Sequence, residues 1–125
     1  MSYTVTFEDK PGYLHARVTG SNSRENVLAY LGDVYRACVA RDAGVVLIEE
    51  YLLGPSIPLS SVFQVVDARA PKALHAIRKI AYVDTNPEHD LTRMEFAEDV
   101  AVNRGLNMRL FPTVAEAERW LRDDG

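Results

Sequence analysis

Two short segments at the start of the chain alternate apolar and polar residues, which is the pattern of half-buried β-strands. Apolar residues occupy positions 3, 5 and 7 in the first segment and positions 14, 16 and 18 in the second. Between them, Asp9-Lys10-Pro11-Gly12 supplies a proline with a preset φ angle and a glycine that accepts a positive φ. The pattern therefore predicts a β-hairpin.

The pattern then changes to one of alternating helices and strands. Apolar residues spaced three and four apart predict a helix from about Arg24 to Arg41, with Ser23 or Asn22 as its N-cap. The continuous apolar run from Val45 to Ile48 predicts a central strand that is covered on both faces.

The later elements follow from the same reasoning. They are a helix from Ser60-Ser61 to about Ala70, a strand at 80–83, a helix that Gly105 closes, a strand at 108–111 and a helix capped by Thr113 with Glu116. Pro71 either ends the second helix or begins a short further turn. The predicted order is ββαβαβαβα, a single α/β domain over residues 1–125 with a mixed five-stranded sheet on which the helices pack.

Composition and charge narrow the class of protein. The formal net charge is −4, and the 14 lysine and arginine residues are scattered, so the basic patch expected of a nucleic-acid-binding protein is missing. No apolar run approaches the ~20 residues of a membrane-spanning helix, and the N-terminus lacks the pattern of a secretory signal. We therefore expect a cytoplasmic protein that binds no nucleic acid and has no membrane span.

Few residues suggest nucleophilic or cofactor chemistry. Cys38 is the only cysteine and lies on the apolar face of its helix, so we expect a buried, unreactive thiol. His15 is expected on the polar side of the second strand, and His75 is expected in an irregular segment after Pro71. Gly54 stands alone, so there is no glycine-rich phosphate loop, and no cofactor is predicted.

Acidic residues and a histidine follow two strands that are predicted to be parallel neighbours. The residues are Glu49, Glu50, Asp84 and His89. In open α/β sheets, ligands bind at the carboxyl ends of the strands. This acidic rim could hold a divalent cation, or act as an acid/base pair. It could equally be a solvated surface in which Asp90 or Thr92 caps the third helix. The spacing matches no metal motif.

Apolar residues are also concentrated just after the central strand, where Gly54, Pro55 and Pro58 disfavour regular structure. The apolar residues are Tyr51, Leu52, Leu53, Ile57, Pro58 and Leu59. They predict an apolar loop that folds back onto the core, forms the wall of a small-molecule pocket, or makes a subunit interface. A twofold contact between two copies is the commonest way to bury such a patch, so a homodimer is expected.

The element order and several motifs resemble the bacterial SpoIIAA-like family, which is related in fold to STAS domains and distantly to CRAL-TRIO lipid-binding domains. The motifs are Lys79-Ile80-Ala81-Tyr82-Val83, Phe96-Ala97, Asn103-Arg104-Gly105, Met108-Arg109-Leu110-Phe111 and Ala117-Glu118-Arg119-Trp120-Leu121. The resemblance covers nearly the whole chain and implies a STAS-like fold.

The resemblance also implies a role for two serines. In the antagonist branch of the STAS family, a serine at the start of the helix after the central strand is phosphorylated, and this controls docking to a partner protein. Ser60 and Ser61 occupy the comparable place, with Leu59 where the family has aspartate and Val62 where it has glycine. From the sequence alone, either serine could instead be the N-cap of the helix.

The sequence supports three functional hypotheses. The first is a non-enzymatic binding or regulatory domain that contacts a protein partner through the apolar loop and the two serines. The second is a carrier of a small apolar ligand or lipid. The third is a small enzyme or metal-binding protein built on the acidic rim.

Overall fold

The computed structural model describes residues 2–89 and 91–123 of the 125-residue chain. The elements are β1 (Tyr3–Lys10), β2 (Tyr13–Ser21), α1 (Arg24–Arg41), β3 (Val45–Leu53), α2 (Leu59–Ala76), β4 (Lys79–Asp84), α3 (Leu91–Asn103), β5 (Met108–Leu110) and α4 (Val114–Arg122). This is the predicted order, ββαβαβαβα.

The five strands form one mixed sheet in chain order, β1-β2-β3-β4-β5. β1 and β2 are an antiparallel hairpin, and each later strand is parallel to its neighbour. Helices α1, α2 and α3 pack on one face of the sheet, and α4 packs on the other. The predicted fold class is therefore confirmed.

The central strand β3 is buried on both faces because each face carries a hydrophobic core. Val46, Ile48 and Leu52 face the core under α1–α3, whereas Val45 and Leu47 face the smaller core under α4. This explains why the sequence from 45 to 48 is continuously apolar.

Local capping chemistry fixes the ends of two helices. The Asn26 amide donates to Ser23 Oγ at 3.1 Å, so Ser23 and not Asn22 is the N-cap of α1. The Glu116 amide donates to Thr113 Oγ1 at 3.2 Å, which confirms the predicted cap of α4.

On α1, Cys38 is buried as predicted, and burial raises the pKa of its thiol to about 11, so it is un-ionised at neutral pH.

Two predicted boundaries are wrong. β3 does not stop at Ile48 but continues to Leu53, because it stays paired with β2 as far as Ser21. The predicted apolar loop is therefore shorter, and it spans residues 54–58.

The second helix does not end at Pro71 but continues to Ala76. Proline removes one intrahelical hydrogen bond, the one that would be accepted by the carbonyl of Asp67. Both Pro71 and Asp67 are exposed, so water can replace that bond. His75 consequently lies in the helix and not in an irregular segment.

In the part of the chain that the structure describes, no helix combines the length and hydrophobicity needed to cross a membrane.

Candidate functional site

Three of the four residues of the predicted acidic rim meet at the carboxyl ends of β3 and β4, and Glu49 lies apart from them. Glu50 is paired with Asp84 across the two strands, and it faces α1–α3. Glu49 points to the opposite face, because successive side chains of a strand alternate. There Glu49 Oε1 lies 2.9 Å from His15 Nε2, so the prediction that Glu49 joins Glu50 is wrong.

His15 is itself misplaced by the sequence prediction. It is buried on the α4 face of the sheet instead of exposed on a polar side. The alternation of side chains along β2 was predicted correctly. Both faces of β2 are covered at this point, however, so His15 is buried on either face.

Glu50 is the central group of the site. It is only 2% exposed, and its carboxylate accepts a hydrogen bond from the Tyr30 hydroxyl and is also hydrogen-bonded to Tyr82. Burial raises the pKa of Glu50 to about 7, because removing a carboxylate from water disfavours its charged form. Burial and the nearby carboxylate raise the pKa of both tyrosines well above the usual value, so both remain hydroxyl donors.

Asp84 and His89 form a second buried pair beside Glu50. His89 Nδ1 lies 2.6 Å from Asp84 Oδ2, and His89 Nε2 lies 3.1 Å from the Gly54 carbonyl oxygen. Both side chains of the pair are about 95% buried, since only 5% and 4% of their surfaces are exposed. His89 Nε2 also lies 3.3 Å from Asn86 Nδ2, so both ring nitrogens have hydrogen-bond partners within the protein.

The segment between β4 and α3 is fixed to the end of β3 by Asn86. Its side-chain amide donates to the Leu52 carbonyl at 2.7 Å, and its side-chain oxygen accepts from the Glu88 amide at 3.0 Å. The Thr85 amide also donates to the Glu50 carbonyl at 2.8 Å. The acidic rim is therefore a buried, hydrogen-bonded cluster, and the expectation of a solvated surface is wrong. Asp90, the suggested helix cap, lies outside the described residues.

Glu50, Asp84 and His89 are close enough for metal binding to be considered. One potential ligand atom from each lies within 4.8 Å of the others. However, both nitrogens of His89 already have hydrogen-bond partners within the protein, and Glu50 is bonded to Tyr30 and Tyr82, so a bound cation would have to displace these contacts. The geometry thus favours an internal hydrogen-bond network.

Sequence reasoning missed Tyr30, Tyr82 and Asn86. Tyr82 was assigned only to a strand, and Tyr30 was not singled out. A buried tyrosine hydroxyl requires a hydrogen-bond partner, and that requirement was a signal for a buried acceptor nearby. Asn86 is recognisable only from the turn that it stabilises.

An apolar cavity of about 230 Å³ adjoins this cluster. It lies between the sheet and helices α1, α2 and α3, and Tyr30, Glu50 and Tyr82 form part of its wall. The remaining wall is mainly aliphatic and includes Val46, Ile48, Val62, Val65, Ala70 and Ala97.

The residues of the predicted contact loop are divided among three elements. Tyr51 and Leu53 are exposed on β3, and Leu59 is exposed in the first turn of α2. Leu52 is fully buried in the core and cannot contact a partner, and Ile57 packs against the core.

Ser60 and Ser61 lie in the first turn of α2, but neither is its cap. The N-cap is Pro58, which provides no side-chain hydrogen bond, so the N-cap interpretation of the serines is wrong. Ser60 is exposed and Ser61 is partly buried.

Comparison with known proteins identifies the fold. No protein-family model matches the chain, and no curated protein matches it by sequence. Among solved structures, a crystal structure of an anti-sigma factor antagonist from Mycobacterium paratuberculosis is similar, with a TM-score of 0.62 and 19% sequence identity over 98% of this chain and 96% of that one. The chain therefore has the fold of that antagonist, and the STAS-like fold that the resemblance implied is confirmed.

Proposed function

We propose that this protein is a non-enzymatic, cytoplasmic regulatory domain that acts by binding another protein through the start of α2. The observation that carries the proposal is an exposed apolar pair next to an exposed serine at this helix start. Leu59 is 40% exposed and Phe63 is 42% exposed, and they lie four residues apart on one face of the helix. The likeness of the fold to an anti-sigma factor antagonist supports a role in protein contacts.

The proposal includes Ser60 as a phosphate acceptor that controls this contact. An 18-residue helix starts at Leu59 without a side-chain cap, so its first amides and its dipole would favour a phosphate there. Gln64 lies one helical turn after Ser60 and accepts a hydrogen bond from Arg24 Nη1 at 2.9 Å. Arg24 is therefore within about one turn of Ser60 and could exchange Gln64 for the phosphate.

The binding surface is tested by affinity capture from the host's own extract, quantified by mass spectrometry. We expect Phe63→Asp to reduce the captured partner by about tenfold or more, because an apolar anchor is replaced by a charge. Val39→Asp is the matched control, since Val39 is 54% exposed and lies near the opposite end of α1 from its Ser23 cap. Equal capture by wild type and Phe63→Asp would refute the surface, provided that both unfold at similar temperatures.

The phosphorylation step has its own test. Ser60→Asp is expected to change the amount of captured partner, whereas Ser60→Ala keeps the behaviour of the unmodified protein. Ser61→Asp tests the neighbouring, partly buried serine. If neither aspartate variant alters capture and both remain folded, the phosphorylation switch is wrong while the surface itself can still stand.

A second copy of the chain is the simplest occupant of the same surface, and we propose a homodimer on this basis. Sedimentation velocity at several concentrations measures it. A dimer of the wild type and a monomer of Leu59→Asp are expected. A wild type that stays monomeric at all concentrations would contradict the homodimer, and a different protein would then be the partner of this surface.

A further inference from the structure

The cavity beside Glu50 is large enough for a small molecule and is shaped by apolar walls. An engineered cavity of about 150 Å³ accommodates benzene. A cavity of about 230 Å³ therefore accommodates one ring with a short chain, or an alkyl chain of similar size. Its aliphatic lining selects an apolar body.

The polar end of the cavity is rich in hydrogen-bond acceptors. The Tyr30 hydroxyl donates to Glu50, and Tyr82 is hydrogen-bonded to both Glu50 and Tyr30, so a carboxylate and two hydroxyl oxygens form this end of the cavity. Among the described residues, no lysine or arginine is bonded to Glu50. A buried carboxylate that is bonded to no lysine or arginine carries a desolvation cost that an incoming ammonium group would offset.

The charges along the cavity direct such a cation to one end. Arg69 and Lys72 line the cavity from the second half of α2, and Arg69 Nη2 donates to the Leu28 carbonyl at 2.8 Å. Arg69 lies ten residues into α2, about 15 Å along the helix axis from its start at the carboxyl edge of the sheet. These two cations repel a cationic head from that end, whereas Glu50 attracts it. Arg93 of α3 also lines the cavity, and its Nε donates to the Ile57 carbonyl at 3.2 Å.

From the cavity, the buried carboxylate and the two tyrosines, we propose that this protein binds a small apolar amine, with its ammonium group on Glu50 and its apolar body between the sheet and helices α1–α3. The inference goes beyond the proposed protein-binding function and does not rest on it, because the cavity and the start of α2 are probed by different variants.

Three probes of nearly equal size test the charge of the head group: 2-phenylethylamine, 2-phenylethanol and phenylacetate. Binding is measured at pH 8 by isothermal titration calorimetry and by ligand-observed NMR. The amine is expected to bind about tenfold more tightly than the alcohol, because an ammonium group forms a stronger hydrogen bond with a carboxylate than a neutral hydroxyl does. Phenylacetate is expected not to bind, because it would place a second carboxylate beside Glu50.

Variants then locate the binding. Glu50→Gln is expected to weaken the amine about tenfold and to change the affinity of the alcohol by less than about twofold. Ala70→Leu fills the cavity and should abolish binding of both, and Ala97→Leu serves the same purpose if Ala70→Leu does not fold. Alcohol or acid binding as tight as amine binding would overturn the assignment, as would an unchanged affinity in Glu50→Gln. Absence of binding by all three probes would overturn the site itself.

The dependence of binding on pH gives an independent readout. The groups that face Glu50 are Tyr30 from α1, Tyr82 and Asp84 from β4, and His89 from the segment before α3. Arg93 of α3 lines the same cavity. Protonation of Glu50 removes its charge, so the affinity for the amine should fall between pH 8 and pH 6, whereas that for the alcohol should not. A parallel loss for both probes would contradict the role of Glu50.

Discussion

Replacing Glu50 by glutamine should change how the stability of the protein depends on pH. Burial raises the pKa of this carboxyl from 4.5 to about 7, so between these values the folded protein holds a proton that the unfolded chain releases. Stability linked to Glu50 is therefore full at low pH and is lost as the pH rises through about 7. Glutamine keeps the shape and hydrogen-bonding capacity of the protonated acid but has no charge to bury.

The magnitude follows from the two pKa values. At 1.36 kcal/mol for each pH unit, the full effect is about 3 kcal/mol, of which about 2.5 kcal/mol falls between pH 5 and pH 8. Urea unfolding followed by circular dichroism at pH 5, 6, 7 and 8 measures it. The stability of the wild type minus that of Glu50→Gln should fall by this amount across the range, since other titrating groups largely cancel in the difference.

Glu88→Gln is the matched control, because it makes the same change at an exposed carboxylate on the segment between β4 and α3. Its difference from the wild type should remain constant within about 0.5 kcal/mol. A constant difference for Glu50→Gln as well would show that Glu50 is ionised in the folded protein at little cost, contrary to the raised pKa.

Three further variants test other parts of the account. Tyr30→Phe removes the hydroxyl that donates to Glu50 and should destabilise the fold by about 1–3 kcal/mol, more at pH 8 than at pH 5, because the ionised carboxylate loses the stronger bond; equal losses in urea unfolding at both values would contradict this. Gly20→Ala should cost more than about 2 kcal/mol in thermal unfolding, since φ is +137° and the new Cβ would lie 2.6 Å from Tyr3 Cα. Thr113→Ala should cost about 1 kcal/mol in urea unfolding and Thr113→Ser much less, because only serine preserves the cap of α4.

Much of the fold was predictable from sequence because the decisive signals are local. The bounds of α1 and the cap of α4 follow from Ser23 and Thr113, whose side chains act within their own helices. The length of β3 was not predictable in this way, because pairing with β2 extends it to Leu53 against the local signal of the following Gly54 and Pro55. The continuation of α2 through Pro71 likewise depends on the exposure of that turn.

The site was predictable only in part. Glu50, Asp84 and His89 were expected to meet because the carboxyl ends of neighbouring parallel strands share one edge, and the structure brings them together. Glu49 could have been excluded from the cluster by the alternation of side chains along a strand, since it must face away from Glu50. The cavity could not be predicted, because an unfilled volume depends on how side chains from six different elements pack together.

The most direct test of the proposed function is photo-crosslinking at position 63 in the host cell. Phe63 is replaced by p-benzoylphenylalanine, and the same amino acid at Val39 is the control, since both side chains are exposed and lie on different helices. We expect one protein, or a second copy of this chain, to be crosslinked from position 63 and not from position 39. No crosslinked protein at position 63, or the same products from both positions, would contradict a contact surface at the start of α2.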